Sequence, residues 1–110
     1  MATSSASTKD ASIDIQMLDH PFWPIRLSAY SKFGFTPLAF NDESFNIRFA
    51  ACIKLGYYPV KTLREEYWRI RYNSFMYHFT NEYTLSWITR EKLLEMIAND
   101  EHDIIRRMFD

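Results

Sequence analysis

Apolar residues recur at helical spacing through most of the chain, and no segment alternates apolar and polar residues as a strand would. Phe45, Phe49, Cys52 and Ile53 fall on one face of a helix that Gly56 ends. Only two Gly and four Pro interrupt the pattern. The spacing therefore predicts an all-α fold of about four to five helices.

Proline and glycine mark the first helix boundaries. Pro24 suits the first turn of a helix, and Gly34 suits the position just after its end. Residues 35–40, FTPLAF, are predicted to be extended, because a proline biases the residue before it away from helix. Asn41 or Asp42 would then cap the second helix.

The second half of the chain carries clearer capping signals. Thr62 and Glu65 form a T-x-x-E capping box, which predicts a helix from there to about Phe79. Thr89 can cap a helix over REKLLEMIA, and a last short helix follows over residues 99–109. The residues of these last two helices that are predicted to face inward are Leu93, Leu94, Ile97, Ile104, Ile105 and Met108.

Length and composition indicate one small domain with a tail. A chain of 110 residues suits a single core. Residues 1–20 are rich in Ser, Thr and Ala, which predicts a disordered or loosely docked tail before a helical domain over residues 21–110. The tail has neither the apolar region of a secretory signal nor the arginines of a transit peptide. No window approaches the roughly 18 apolar residues of a membrane span.

The stretch AACIKLGYYPVKTLREEYWRI, residues 50–70, has the outline of a DNA-binding helix-turn-helix. Thr62 and Glu65, however, stand where that motif buries apolar residues, and Glu65 and Glu66 would face the phosphates. The formal net charge of −1 supplies no basic surface in compensation. Nucleic-acid binding therefore ranks below the two protein-binding functions described below, and we expect no nucleic-acid partner.

No arrangement of reactive side chains indicates catalysis. His20, His78 and His102 lie far apart in sequence, and the chain has one cysteine, Cys52. Neighbouring residues on a helix point about 100° apart, so two adjacent glutamates cannot act as a paired acid and base. We expect a protein that is not an enzyme and has no cofactor or metal.

The aromatic fraction of 17% is high for a small domain, with nine Phe, seven Tyr and three Trp. Two interpretations stay open: a core built from large rings, or rings on a surface that a partner covers. The candidates for a partner interface are Phe22, Trp23, Trp68, Phe75 and Phe79.

Three segments carry a family resemblance over residues 28–68: AYSKFGF (29–35), FNIRFAACIKL (45–55) and LREEYW (63–68). Their order is similar to that in subunit 7 of the mitochondrial cytochrome bc1 complex (ubiquinol–cytochrome c reductase), the ubiquinone-binding-protein type. The matching residues are Ser31, Lys32, Phe33, Gly34 and Phe35, then Phe45, Ile47, Arg48 and Ala50, then Leu63, Glu66 and Trp68. Leu63-Arg64-Glu65 stands where that family has Leu-Pro-Lys.

The resemblance implies a non-catalytic accessory subunit of a respiratory complex. Such a subunit would lie on the matrix side of the mitochondrial inner membrane, peripheral to it, and contact cytochrome b and the core subunits. The alternative from another class is a soluble helical adaptor or regulatory module in the cytoplasm.

Overall fold

The computed structural model describes residues 13–110, and all regular secondary structure in that range is helical. The α-helices are α1 (Trp23–Phe33), α2 (Phe45–Leu55), α3 (Trp68–Phe79), α4 (Glu82–Leu85), α5 (Arg90–Ala98) and α6 (Asp103–Arg106). Three 3-10 helices cover Ile15–Asp19, Pro37–Asn41 and Val60–Arg64. The predicted all-α fold class is confirmed.

The chain forms two compact units, Met1–Gly56 and Tyr57–Asp110, called here the first and second units. They divide the predicted helical domain of residues 21–110. Residues 1–12 of the predicted tail lie outside the described part of the chain. Residues 13–20 contain the first 3-10 helix, which packs against α1. Lys32 Nζ also donates a hydrogen bond to the Ile13 carbonyl oxygen at 2.7 Å, which ties this segment to α1.

The glycine and proline signals locate the first two helices. Pro24 lies in the first turn of α1, Gly34 follows its last residue, and Gly56 ends α2 with a left-handed φ of 80°. Thr36 is extended as predicted, but the prediction is wrong for the rest of FTPLAF, because Pro37–Asn41 form a 3-10 helix. The cap of α2 is Ser44, whose side chain accepts from the backbone N–H of Asn46, and not Asn41 or Asp42.

The predicted capping box is wrong. Thr62 lies inside the 3-10 helix Val60–Arg64, and α3 begins only at Trp68. The Thr62 hydroxyl caps no helix, because it bonds to the Pro59 carbonyl oxygen and to the Ser74 hydroxyl. The predicted end of this helix at Phe79 is confirmed.

The cap of α5 is confirmed, since Thr89 Oγ1 accepts from the backbone N–H of Lys92 at 3.0 Å. Within α5 and α6 the inward face is narrower than predicted. Leu93, Ile97 and Ile105 are buried and Met108 is half-buried. Leu94 and Ile104 are exposed, because each helix is covered on one side only.

One local arrangement occurs four times. In each case an Ile-Arg pair lies in an α-helix, and the arginine Nη1 donates to the carbonyl oxygen of the residue six positions earlier. This arrangement, the arginine clamp, ties the helix to the segment before it. The donor–acceptor pairs are Arg26–His20 (2.7 Å), Arg48–Asp42 (2.8 Å), Arg71–Glu65 (2.7 Å) and Arg106–Asp100 (2.8 Å).

An aspartate joins two successive clamps inside each unit. In the first unit Asp42 accepts two hydrogen bonds from the Arg26 guanidinium, at 2.9 and 2.8 Å. In the second unit Asp100 accepts two from Arg71, at 2.8 and 2.9 Å. All four side chains are over nine-tenths buried, so each pair is a charge-assisted fork shielded from solvent.

The aspartates have a second task. Oδ1 of Asp42 accepts from the Ser44 backbone N–H, and Oδ1 of Asp100 accepts from that of His102, both at 2.8 Å. Burial opposes ionisation of Asp42, but the hydrogen bonds from Arg26 and Ser44 outweigh it and lower the pKa of this carboxyl group. In each unit, one carboxylate therefore pairs with the arginine of the first clamp and also accepts from a backbone N–H just before the helix of the second clamp.

Candidate ligand-binding groove

The structure separates the five predicted interface residues into three groups. Phe22 and Trp23 belong to the first unit and are 58% and 37% exposed. Trp68 and Phe79 belong to the second unit and are half-buried. Phe75 is 1% exposed. The five residues therefore do not form one continuous patch within either unit.

The three rings of the second unit are occupied by its own packing. Phe75 lies in the core formed with Leu63, Leu93, Ile97 and Ile105, so its ring has no surface to offer a partner. Two other ring pairs flank this core: Trp68 stacks on His102 with centroids 4.3 Å apart, and Phe79 packs against Phe109 at 5.1 Å. Phe75 therefore belongs to the core of its unit.

The second unit also carries a groove of about 430 Å³ whose walls are mainly aromatic. One wall is the segment before the third 3-10 helix, the floor is the end of α3, and the other wall is the region of α4. Its lining residues are Tyr57, Tyr58, Pro59, Val60, Tyr77, His78, Asn81, Tyr83, Thr84 and Trp87. The volume lies in the range of ordinary ligand pockets.

Local contacts hold both walls of the groove to α3. Nδ1 of the buried His78 lies 2.6 Å from the Thr84 hydroxyl, which fixes α4. Asn81 caps α4, since its Oδ1 accepts from the Thr84 backbone N–H at 3.1 Å. On the other side the rings of Tyr58 and Tyr77 contact each other at 5.7 Å. The groove is thus built on fixed elements.

Burial keeps His78 neutral. The side chain is 3% exposed, and desolvation lowers the pKa of its imidazole, against an opposing effect of the Tyr58 and Pro59 backbones. Its Nε2 is a buried polar side-chain atom that makes no hydrogen bond of good geometry among residues 13–110, although the Tyr58 and Pro59 backbones lie near enough to the imidazole to act on its pKa. The floor of the groove is therefore polar but uncharged at neutral pH.

The open wall of the groove presents rings and hydrogen-bond donors. Tyr83 is 73% exposed and Trp87 54% exposed. The Tyr83 hydroxyl, the Trp87 indole N–H and the Asn81 side-chain amide donate to no other residue within 13–110. No Asp, Glu, Lys or Arg lines the groove. The arrangement can bind an uncharged ligand that offers acceptors and flat apolar surface.

Sequence reasoning missed the wall formed by residues 81–87, since it assigned no element between Phe79 and Thr89. The helix there, Glu82–Leu85, is four residues long, too short to show an apolar period. The available signal was local: Asn81 is a strong N-cap residue, and Glu82 follows it in the first turn.

No group of three or more His, Cys, Asp or Glu residues that could hold a metal ion occurs in residues 13–110. None of the helices in this part of the chain has the length and hydropathy needed to cross a membrane.

No family model matches the chain, and no curated protein or solved structure is significantly similar to it.

Proposed function

We propose that this chain is a non-catalytic binding component that attaches to another protein through its second unit. The observation that carries the proposal is the aromatic groove, in which Tyr83 and Trp87 remain exposed although a complete core lies in the same unit. Trp and Tyr are the residues that most often dominate binding energy at protein interfaces. Exposed rings that the fold does not need for its own core are suited to that use.

The respiratory-complex form of this proposal rests on the resemblance over residues 28–68. Part of that resemblance has an explanation inside the chain itself. Ile47 and Arg48 belong to an arginine clamp, and the same Ile-Arg pair recurs at 25–26, 70–71 and 105–106. Binding to a partner protein is therefore the broader proposal, and a matrix-side subunit of complex III is its specific form. A cytoplasmic adaptor is the other form.

Separation of native complexes from lysates of the source cells tests both the broad proposal and its two specific forms. The full chain, tagged and expressed at its normal level, should migrate well above its monomer mass of 13.2 kDa. Migration with detergent-solubilised complex III would support the respiratory form, and migration in a detergent-free soluble assembly would support the adaptor. A chain that migrates as a free monomer in every fraction would contradict the proposal.

Matched variants assign the interaction to the groove. Tyr83→Ala together with Trp87→Ala should release the chain from its assembly, since both rings are exposed and neither belongs to the core. Trp23→Ala removes an exposed ring of the first unit and serves as the control. Release by the control alone would move the partner surface to the first unit.

A further inference from the structure

We propose that the groove of the second unit binds a proline-rich peptide segment in the polyproline II conformation. This inference rests on the proposed function and names the chemistry of the ligand. It is drawn from three properties of the groove: its free donors, its lack of charge and its aromatic walls.

The hydrogen-bonding groups of the groove match a ligand that only accepts. The Trp87 indole N–H can only donate, the Asn81 amide has its oxygen engaged by the Thr84 backbone N–H, and the Tyr83 hydroxyl can donate. Proline has a carbonyl oxygen and no N–H. A polyproline II segment has no internal hydrogen bonds, so its carbonyl oxygens are available to these donors.

The lack of charged side chains in the groove disfavours two other ligand classes, anions and cations that bind by ion pairing. The lining contains no Lys or Arg to pair with a phosphate or carboxylate, and no Asp or Glu to pair with an ammonium group. Burial keeps the His78 imidazole in the neutral form. Transfer from water to this site therefore costs less desolvation free energy for an uncharged peptide segment than for a charged ligand.

The aromatic walls suit the flat apolar faces of proline rings. The Tyr58–Tyr77 pair forms one side, and the exposed Tyr83 and Trp87 form the other. Aromatic-lined grooves are the usual binding sites for such segments, since the polyproline II helix is already ordered before it binds. The open groove also leaves both ends of a bound peptide free to continue into a larger partner.

The test is a titration of the full chain with a fluorescently labelled oligoproline peptide, followed by polarisation. A peptide of equal length made of alanine and glutamine serves as the ligand control. The chain should bind the oligoproline peptide saturably and the control peptide at least about tenfold more weakly. Equal binding of both peptides, or no binding of either, would overturn the proposal.

Three variants locate the site. Trp87→Ala should weaken binding about tenfold or more, as loss of a central aromatic contact does. Asn81→Asp keeps an oxygen to cap α4 but removes the amide donor, so it should weaken oligoproline binding while far-ultraviolet circular dichroism stays unchanged. Trp23→Ala lies outside the groove and should bind as the parent does; a loss of binding equal to that of Trp87→Ala would contradict the site.

A competition experiment separates this proposal from a cation-binding cage. Tetramethylammonium binds aromatic cages through cation–π attraction. It should not displace the labelled oligoproline peptide, and displacement at millimolar concentration would overturn the assignment. If native assemblies form but oligoproline does not bind, the ligand class fails and the binding function stands. If oligoproline binds but no assembly forms, the ligand class stands and the proposed attachment to a partner protein fails.

Discussion

The two units of the chain contain the same arginine–aspartate pair but differ in the length of chain between its two residues. In the first unit Arg26 and Asp42 are 16 residues apart, and the chain between them forms little more than one helix and one 3-10 helix. In the second unit Arg71 and Asp100 are 29 residues apart, and α4 and α5 lie between them. The pairs have the same geometry although the intervening chain differs in length.

The longer connection coincides with the surface for which binding is proposed. The longer connection in the second unit supplies Asn81, Tyr83 and Trp87, which form the open wall of the groove. The contacts of His78 and Asn81 with Thr84 hold this wall to α3. In repeat proteins, too, insertions lie in loops on one face, which is often the binding face.

The clamps themselves should account for the largest losses of stability. Asp42→Ala and Asp100→Ala each leave a buried guanidinium without its carboxylate, and each also removes an acceptor for a backbone N–H. We expect each change to cost about 3–5 kcal/mol in the free energy of unfolding. Urea denaturation measures it.

The comparison between the units sharpens this prediction. If the clamps are equivalent, the two alanine variants should be destabilised by similar amounts. Glu95→Ala, which removes an exposed ion pair with Lys92, is the control and should change stability much less than either aspartate change. A cost below that of the control at either aspartate would show that its clamp does not support the fold.

The first-unit clamp should also respond to acid. The pKa of Asp42 is lower in the folded chain than in the unfolded chain, so its contribution to stability is fully present above its unfolded pKa of about 3.9. The contribution is lost as the pH falls through the lower, folded pKa. The stability difference between the parent and Asp42→Ala should therefore be constant from neutral pH to about pH 4 and shrink below it. A difference that grows on acidification would contradict the assigned direction.

A smaller loss of stability is expected when Thr62, in the second unit, is replaced. Its buried hydroxyl bonds to the Ser74 hydroxyl at 2.7 Å and to the Pro59 carbonyl oxygen. Thr62→Val keeps the shape and leaves these polar atoms with one partner fewer. The cost should be about 1–3 kcal/mol, compared by thermal melting with Thr89→Val, whose exposed capping loss should cost about 1 kcal/mol.

The outcome at Thr62 shows which features of this fold local sequence signals can predict. Pro24, Gly34, Gly56 and Thr89 act on their own neighbours, and each boundary they predict is present. Thr62 and Glu65 fit a capping box by spacing, but a tertiary contact takes the threonine hydroxyl instead. Local propensity and spacing carry no information about the hydrogen bond between Thr62 and Ser74, which are 12 positions apart.

The clamps were in principle visible in the sequence as an Ile-Arg pair repeated at 25–26, 47–48, 70–71 and 105–106. The carbonyl oxygen that each arginine binds leaves no sequence signature, because every residue has one. The groove is harder still to predict. Its walls come from segments on both sides of α3, and only folding brings Tyr58 and Trp87 to one site.

The smallest effects should come from the isoleucine that precedes each clamp arginine, and they test how alike the four repeats are. Ile47, Ile70 and Ile105 are fully buried, whereas Ile25, in the first clamp, is half-buried. Replacing a buried isoleucine by valine removes one methylene and costs about 0.5–1.5 kcal/mol. The same change at Ile25 should cost less, since part of that side chain already contacts solvent.

The series is internally matched, because the chemical change is identical at all four positions and each residue occupies the same place before its arginine. Urea denaturation of the four variants under one condition gives the order. Similar losses at Ile47 and Ile105 would show that the repeats of the two units pack equally well. A loss at Ile25 as large as the other three would mean that the segment Ile15–Asp19 covers the start of α1 as completely as a preceding repeat would.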